Sequence, residues 1–121
     1  MKLRFHRTLN SERWRNFSFS QQILMIGSEL LRAEKMILKN DYDEVRRCYE
    51  RALELIYLTI VVARRFHRLR ELLRFKEALL EVCTKKPTLR INRILFRTLI
   101  LMDGEAWNSV SMDIKLYSQN P

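Results

Sequence analysis

Apolar residues recur along the chain at helical spacing in three long stretches separated by short polar breaks. In the first, Ile23, Ile26, Leu30, Ala33 and Ile37 share one face, with Leu24, Leu31 and Leu38 widening it. The stripe predicts a core-facing helix over residues 19–39. Ser18 stands ahead of it with Gln21 three residues on, the spacing of a capping box. Gly27 lies inside this helix, where glycine costs about 1 kcal/mol relative to alanine, so close approach of a neighbouring helix is its expected reason. Asn40 and Asp41 then end one helix and cap the next.

The second stretch runs through Val45, Cys48, Tyr49, Ala52, Leu55, Ile56, Thr59, Val62, Ala63 and Phe66, and Leu69, Leu73 and Leu80 continue it with little phase slip. Residues 41–83 contain neither glycine nor proline. One continuous helix of that length would reach roughly 60 Å. A break near residues 66–70 is the expectation, with a single long helix covered by a second chain as the alternative. The β-branched run Thr59–Val62 weakens helix locally. Lys85, Lys86 and Pro87 close the region, and residues 88–102 form a third stretch that is apolar on several sides. Such a helix belongs at the centre of a bundle or at an oligomer interface.

The ends are less regular. Residues 1–17 read as an arm anchored by Trp14 and Phe17, with a short helical turn starting at Ser11. Residues 105–121 read as a tail, ended from the bundle by Gly104, against which Trp107 docks and whose last residues fray. The expected fold is all-α: an antiparallel bundle of about four helices over residues 18–104, with an N-terminal arm and a short C-terminal tail.

Composition narrows this further. The chain has 121 residues, with two glycines and two prolines, too few turn residues for an all-β architecture. The apolar run of residues 55–63 is too short for the roughly 20 residues that span a bilayer, and the basic start (Lys2, Arg4, Arg7) lacks the apolar core of a signal peptide. A cytoplasmic location is expected. Cys48 and Cys83 both fall on apolar stripes and are expected as reduced core thiols.

The net charge is +9, carried by 16 arginines and 7 lysines. Guanidinium groups bind phosphate and carboxylate bidentately, so an acidic partner is expected: nucleic acid as the first candidate, or an acidic protein or an anionic membrane surface. The charge is concentrated in residues 64–76, where six basic residues face one acid, Glu71, a local +5. On a helical wheel, Phe66, Leu69, Leu73 and Leu80 share one face. Arg64, Arg65 and Arg68 gather on one side of it, and His67, Arg70 and Arg74 on the other. Arg90, Arg93 and Arg97 form a further basic edge on the third stretch. The candidate contacts are therefore Arg64, Arg65, Arg68, Arg74, Arg90, Arg93 and Arg97. Aromatic residues are not interleaved with them as a single-strand stacking platform would want, which suits phosphate contact better than base reading.

The turn Asn40-Asp41-Tyr42, followed by Val45, Tyr49 and Ala52 and preceded by Arg32-Ala33-Glu34, resembles two known hairpins. It is similar to a tetratricopeptide hairpin, in which the turn tyrosine packs between helices. It is also similar to the opening hairpin of HEPN-type helical domains over residues 32–66. The HEPN resemblance implies a four-helix bundle, frequent dimers and RNA-related or toxin–antitoxin roles. About 34 residues further on stand Leu79, Cys83 and Lys86, which do not repeat the pattern, so no tetratricopeptide array is implied. The HEPN ribonuclease arginine is also missing: ahead of His67 its positions hold Ile60, Val61 and Val62.

No other catalytic constellation stands out. His6 and His67 are the only histidines, no metal-ligand spacing occurs, and no glycine-rich loop is present. The carboxylate pairs Glu50/Glu54 and Glu77/Glu81 are expected as solvated helix-surface ion pairs. No catalytic, cofactor or metal residue is assigned, and no enzyme is expected. The expected function is a non-enzymatic helical binding protein, acting as a homo-oligomer with a dimer the first expectation. The alternatives are a protein-interaction adaptor using the apolar excess of residues 89–102, or a HEPN-like member of a two-protein module.

Overall fold

A computed structural model describes residues 3–6 and 8–118, of which 112–118 are described by their backbone alone. Lys2, Arg7 and the fraying end expected at 119–121 lie outside the described residues. The described residues form six helices: α1 (Ser11–Arg15), α2 (Phe19–Leu38), α3 (Tyr42–Val62), α4 (Phe66–Cys83), α5 (Leu89–Ile100) and α6 (Gly104–Ser118). Two more helices occur than the pattern predicts, because the arm folds into α1 and the tail into α6. Gly104 opens α6 rather than ending the bundle, and Asp103 ahead of it accepts from the Ala106 N–H at 2.9 Å.

Local chemistry sets the boundaries of α2 and α3. Ser18 accepts from the Gln21 N–H at 3.1 Å while the Gln21 side chain accepts from the Ser18 N–H at 2.8 Å, the reciprocal box. At the other end Asn40 takes φ 57°, a left-handed conformation that asparagine tolerates better than most residues. The Asp41 N–H donates to the Met36 carbonyl and the Asn40 N–H to that of Ile37, which satisfies carbonyls the helix end would orphan. Asp41 then accepts from the Glu44 N–H at 3.3 Å and starts α3. The hairpin is closed in three residues.

Ile23, Ile26, Leu30, Ala33 and Ile37 of α2 meet Val45, Cys48, Tyr49, Ala52, Leu55 and Ile56 of α3 in one buried core. Leu31 and Leu38, expected to widen the α2 stripe, are exposed instead. Helix α5 crosses the same core antiparallel to α2: Asn92 lies beside Leu30, Phe96 and Ile100 beside Gly27, and Asp103 beside Ser20. A Cβ at Gly27 would stand 3.2 Å from Phe96 Cε2, so the expected close approach is found and its partner is α5. Gly27→Val is expected to lower stability by about 1–3 kcal/mol through overpacking, read as a lower urea midpoint.

Residues 41–83 form two helices, not one. The break falls at Ala63–Arg65, immediately after the β-branched run and slightly earlier than expected, with Ala63 and Arg65 in extended backbone. These residues reset the helical phase, so the predicted α4 face does not carry over. The buried residues of α4 are Leu72, Phe75 and Leu79, whereas Phe66 is 78% exposed, Leu73 43% and Leu80 44%. Arg64 and Arg65 consequently belong to the link and not to a helix face.

The arm is held by an unexpected feature. Glu54, expected at the surface, is only 4% exposed. Its carboxylate accepts from the backbone N–H groups of Arg4, Phe5 and His6 and lies 2.6 Å from His6 Nδ1. A charged group on α3 can be buried here because a neighbouring segment supplies its donors. Burial pushes the Glu54 carboxyl up, but the backbone donors and His6 outweigh it and hold the group below the ordinary carboxylate range. No helix of the described residues is long and apolar enough to cross a membrane.

Candidate functional site

Trp14 positions one side of the site. It is fully buried, its Nε1–H donates to Thr59 Oγ1 at 2.9 Å, and its carbonyl accepts from Gln22 Nε2 at 2.9 Å. These contacts fasten α1 to the C-terminal end of α3 and the start of α2. Arg15, the next residue, is thereby carried beside the link that holds Arg64 and Arg65.

The result is a concavity of about 440 Å³ bordered by Arg15, Arg64, Arg65 and Arg68. Phe17, Phe19, Thr59 and Val62 contribute to its lining, and no carboxylate does among the described residues. Arg68 is oriented by the face of Phe19, its guanidinium carbon 4.1 Å from the ring centroid. The Thr59 hydroxyl is already committed, accepting from Trp14 and donating to the Leu55 carbonyl at 2.7 Å. None of the four arginines forms an ion pair among the described residues, in contrast to the acid-bound Arg47, Arg51 and Arg93. Four arginines thus line one partly apolar hollow, and the guanidinium fork is suited to phosphate oxygens.

The candidate arginines thus separate. Arg64, Arg65 and Arg68 come together, and Arg15 joins them without having been singled out. The signal for it was indirect: the Trp14 anchor adjacent to it. Arg74 borders a different and more apolar hollow between α4 and α5, with Ile94 and Leu101. Arg93 is bound to Glu34 at 2.7 Å. Arg90 and Arg97 are exposed on α5 and line none of these hollows. Phe17 and Phe19 bring aromatic rings to this hollow, whereas Phe66 and Phe75 of the basic segment do not line it.

A second basic hollow, about 420 Å³, lies at the opposite end of α3 and α4, lined by Tyr42, Arg46, Tyr49, Cys83, Lys85 and Lys86 among others. The turn tyrosine, Tyr42, lies beneath Lys86, whose Nζ is 4.7 Å from its ring centroid. Burial pushes the Cys83 and Cys48 thiols up, which keeps both protonated at neutral pH. His67 is exposed and pairs with Glu71 at 3.2 Å on its own helix. No group of three or more His, Cys, Asp or Glu able to hold a metal ion occurs among the described residues. Set against known protein families, curated proteins and solved structures, the chain has no match.

Proposed function

We propose that this protein binds nucleic acid through its phosphate backbone, with Arg15, Arg64, Arg65 and Arg68 as the contacts and α2–α5 as a bundle that holds them in place. The observation that carries this reading is the convergence of four acid-free arginines on one hollow. A surface arginine without a role is usually spread among carboxylates. Three carboxylates of this chain are paired elsewhere, Glu29 and Glu44 with Arg51 and Glu34 with Arg93. The net charge of +9 adds a long-range attraction for a polyanion. Contacts of this kind position a strand without reading its bases.

The test is a fluorescence-anisotropy titration of a labelled oligonucleotide at two salt concentrations. If three or four phosphates are neutralised, affinity falls by about 20- to 150-fold between 50 and 200 mM salt. Reversing Arg64, Arg65 and Arg68 together to glutamate is expected to abolish binding while the far-UV circular dichroism stays helical. Binding that survives the reversal, or that ignores salt, would sink the reading and favour an apolar docking adaptor.

A further inference from the structure

We propose that two copies of this chain associate through the outer face of α4, the two helices running antiparallel. The apolar residues that the bundle leaves outside on α4 are not scattered. Phe66, Leu69, Leu73 and Leu80, with Lys76 between the last two, recur at alternating spacings of three and four, the 3.5-residue repeat of a helix–helix seam. Phe66, Leu73 and Leu80 are exposed, and Leu69 and Lys76 are half-buried. The core-facing row, Leu72, Phe75 and Leu79, is separate, so α4 carries two apolar faces and the bundle uses one.

Charge identifies the occupant as a second copy and sets its direction. When an antiparallel copy is laid on the seam, Leu69 meets the partner's Leu80 and Leu73 meets the partner's Lys76. The Lys76 stem covers Leu73 while its ammonium reaches water. In that same register the flanking Arg70 faces the partner's Glu77, and the two-fold axis repeats the pair on the other side. A parallel copy instead leaves both Arg70 and Glu77 without an opposite charge across the seam. Neither Arg70 nor Glu77 forms an ion pair within its own chain among the described residues, so both are available to the partner.

The association does not rest on nucleic-acid binding, because no residue of the seam borders the arginine hollow. Its test is sedimentation equilibrium of the full chain over a range of concentrations. The mass is expected to rise from 14.7 kDa towards twice that value. Leu73→Lys is expected to hold it at the monomer, because it sets like charges against the partner's Lys76 at both symmetric positions, with unchanged circular dichroism because Leu73 is outside the core. Arg70→Glu alone is expected to weaken association by roughly tenfold or more, since like charges then face each other at both symmetric positions. Adding Glu77→Arg is expected to restore it. A wild-type monomer at every concentration, a dimer indifferent to Leu73→Lys, or failure of the charge swap to rescue would each overturn the proposal.

Discussion

Trp14→Ala is expected to cost about 3–5 kcal/mol of stability, the usual range for deleting a large buried aromatic. Helix α1 has five residues, far too few to persist by itself, so it exists because this one indole is inserted between α2 and α3. Removal leaves a cavity at the C-terminal end of α3 and releases the α1 backbone that Gln22 grips through the Trp14 and Phe17 carbonyls. Trp14→Phe separates packing from hydrogen bonding. It keeps much of the apolar volume and loses only the Nε1–H donor, while Thr59 retains its bond to Leu55. The phenylalanine variant should therefore be clearly more stable than the alanine variant in chemical denaturation. Equal losses would show that the hydrogen bond, and not the packing, fastens α1.

Glu54→Gln is expected to destabilise by about 1–3 kcal/mol at neutral pH, because a neutral amide replaces a carboxylate that three backbone donors and His6 surround. Amide exchange at residues 4–6 should accelerate at the same time. The pH dependence follows from the direction of the shift. The folded-state pKa of Glu54 lies below its ordinary value of 4.5, so the folded protein binds fewer protons there than the unfolded chain. Its contribution is complete above pH 4.5 and is lost as the pH falls through the lower folded value. The difference in melting temperature between wild type and Glu54→Gln should thus be largest near neutrality and close below pH 4.5. A difference that is constant down to pH 3 would mean that the charge of Glu54 does not hold the arm.

The parts of this fold that could be read from the sequence are those set by neighbours in sequence. Ser18 and Gln21 form their box three residues apart, and Asn40-Asp41 makes its turn from its own backbone conformation. The α2 row from Ile23 to Ile37 is buried because a 3.6-residue period is a local property. The misreadings have non-local causes. The α4 face was extrapolated from the phase of α3, and the extended residues 63–65 shift that phase without a glycine or proline to mark them. Glu54 looked like half of a solvated pair because its donors come from residues some fifty positions earlier. The arginine hollow was half legible: the density of charge in residues 64–76 was plain, but the membership of Arg15 depended on where Trp14 docks.

One buried contact has a consequence for how many structures this chain can adopt. The Tyr49 hydroxyl donates to Asn92 Oδ1 at 2.7 Å, and Asn92 Nδ2 donates to the Leu30 carbonyl at 2.9 Å, joining α2, α3 and α5 in the middle of an aliphatic core. Leucine, isoleucine and alanine surfaces pack acceptably in several alignments, and a bundle built from them alone can slide. A slip of α5 by one helical turn, about 5.4 Å, would strand the Asn92 amide and the Tyr49 hydroxyl away from water. Each stranded group costs about 1–3 kcal/mol, a large fraction of the margin by which a small domain is stable. The junction thus acts as a key in a lock that would otherwise accept several positions: its main effect is to raise the energy of every misaligned bundle, leaving a single alignment of α5 on which the basic surfaces keep a defined geometry.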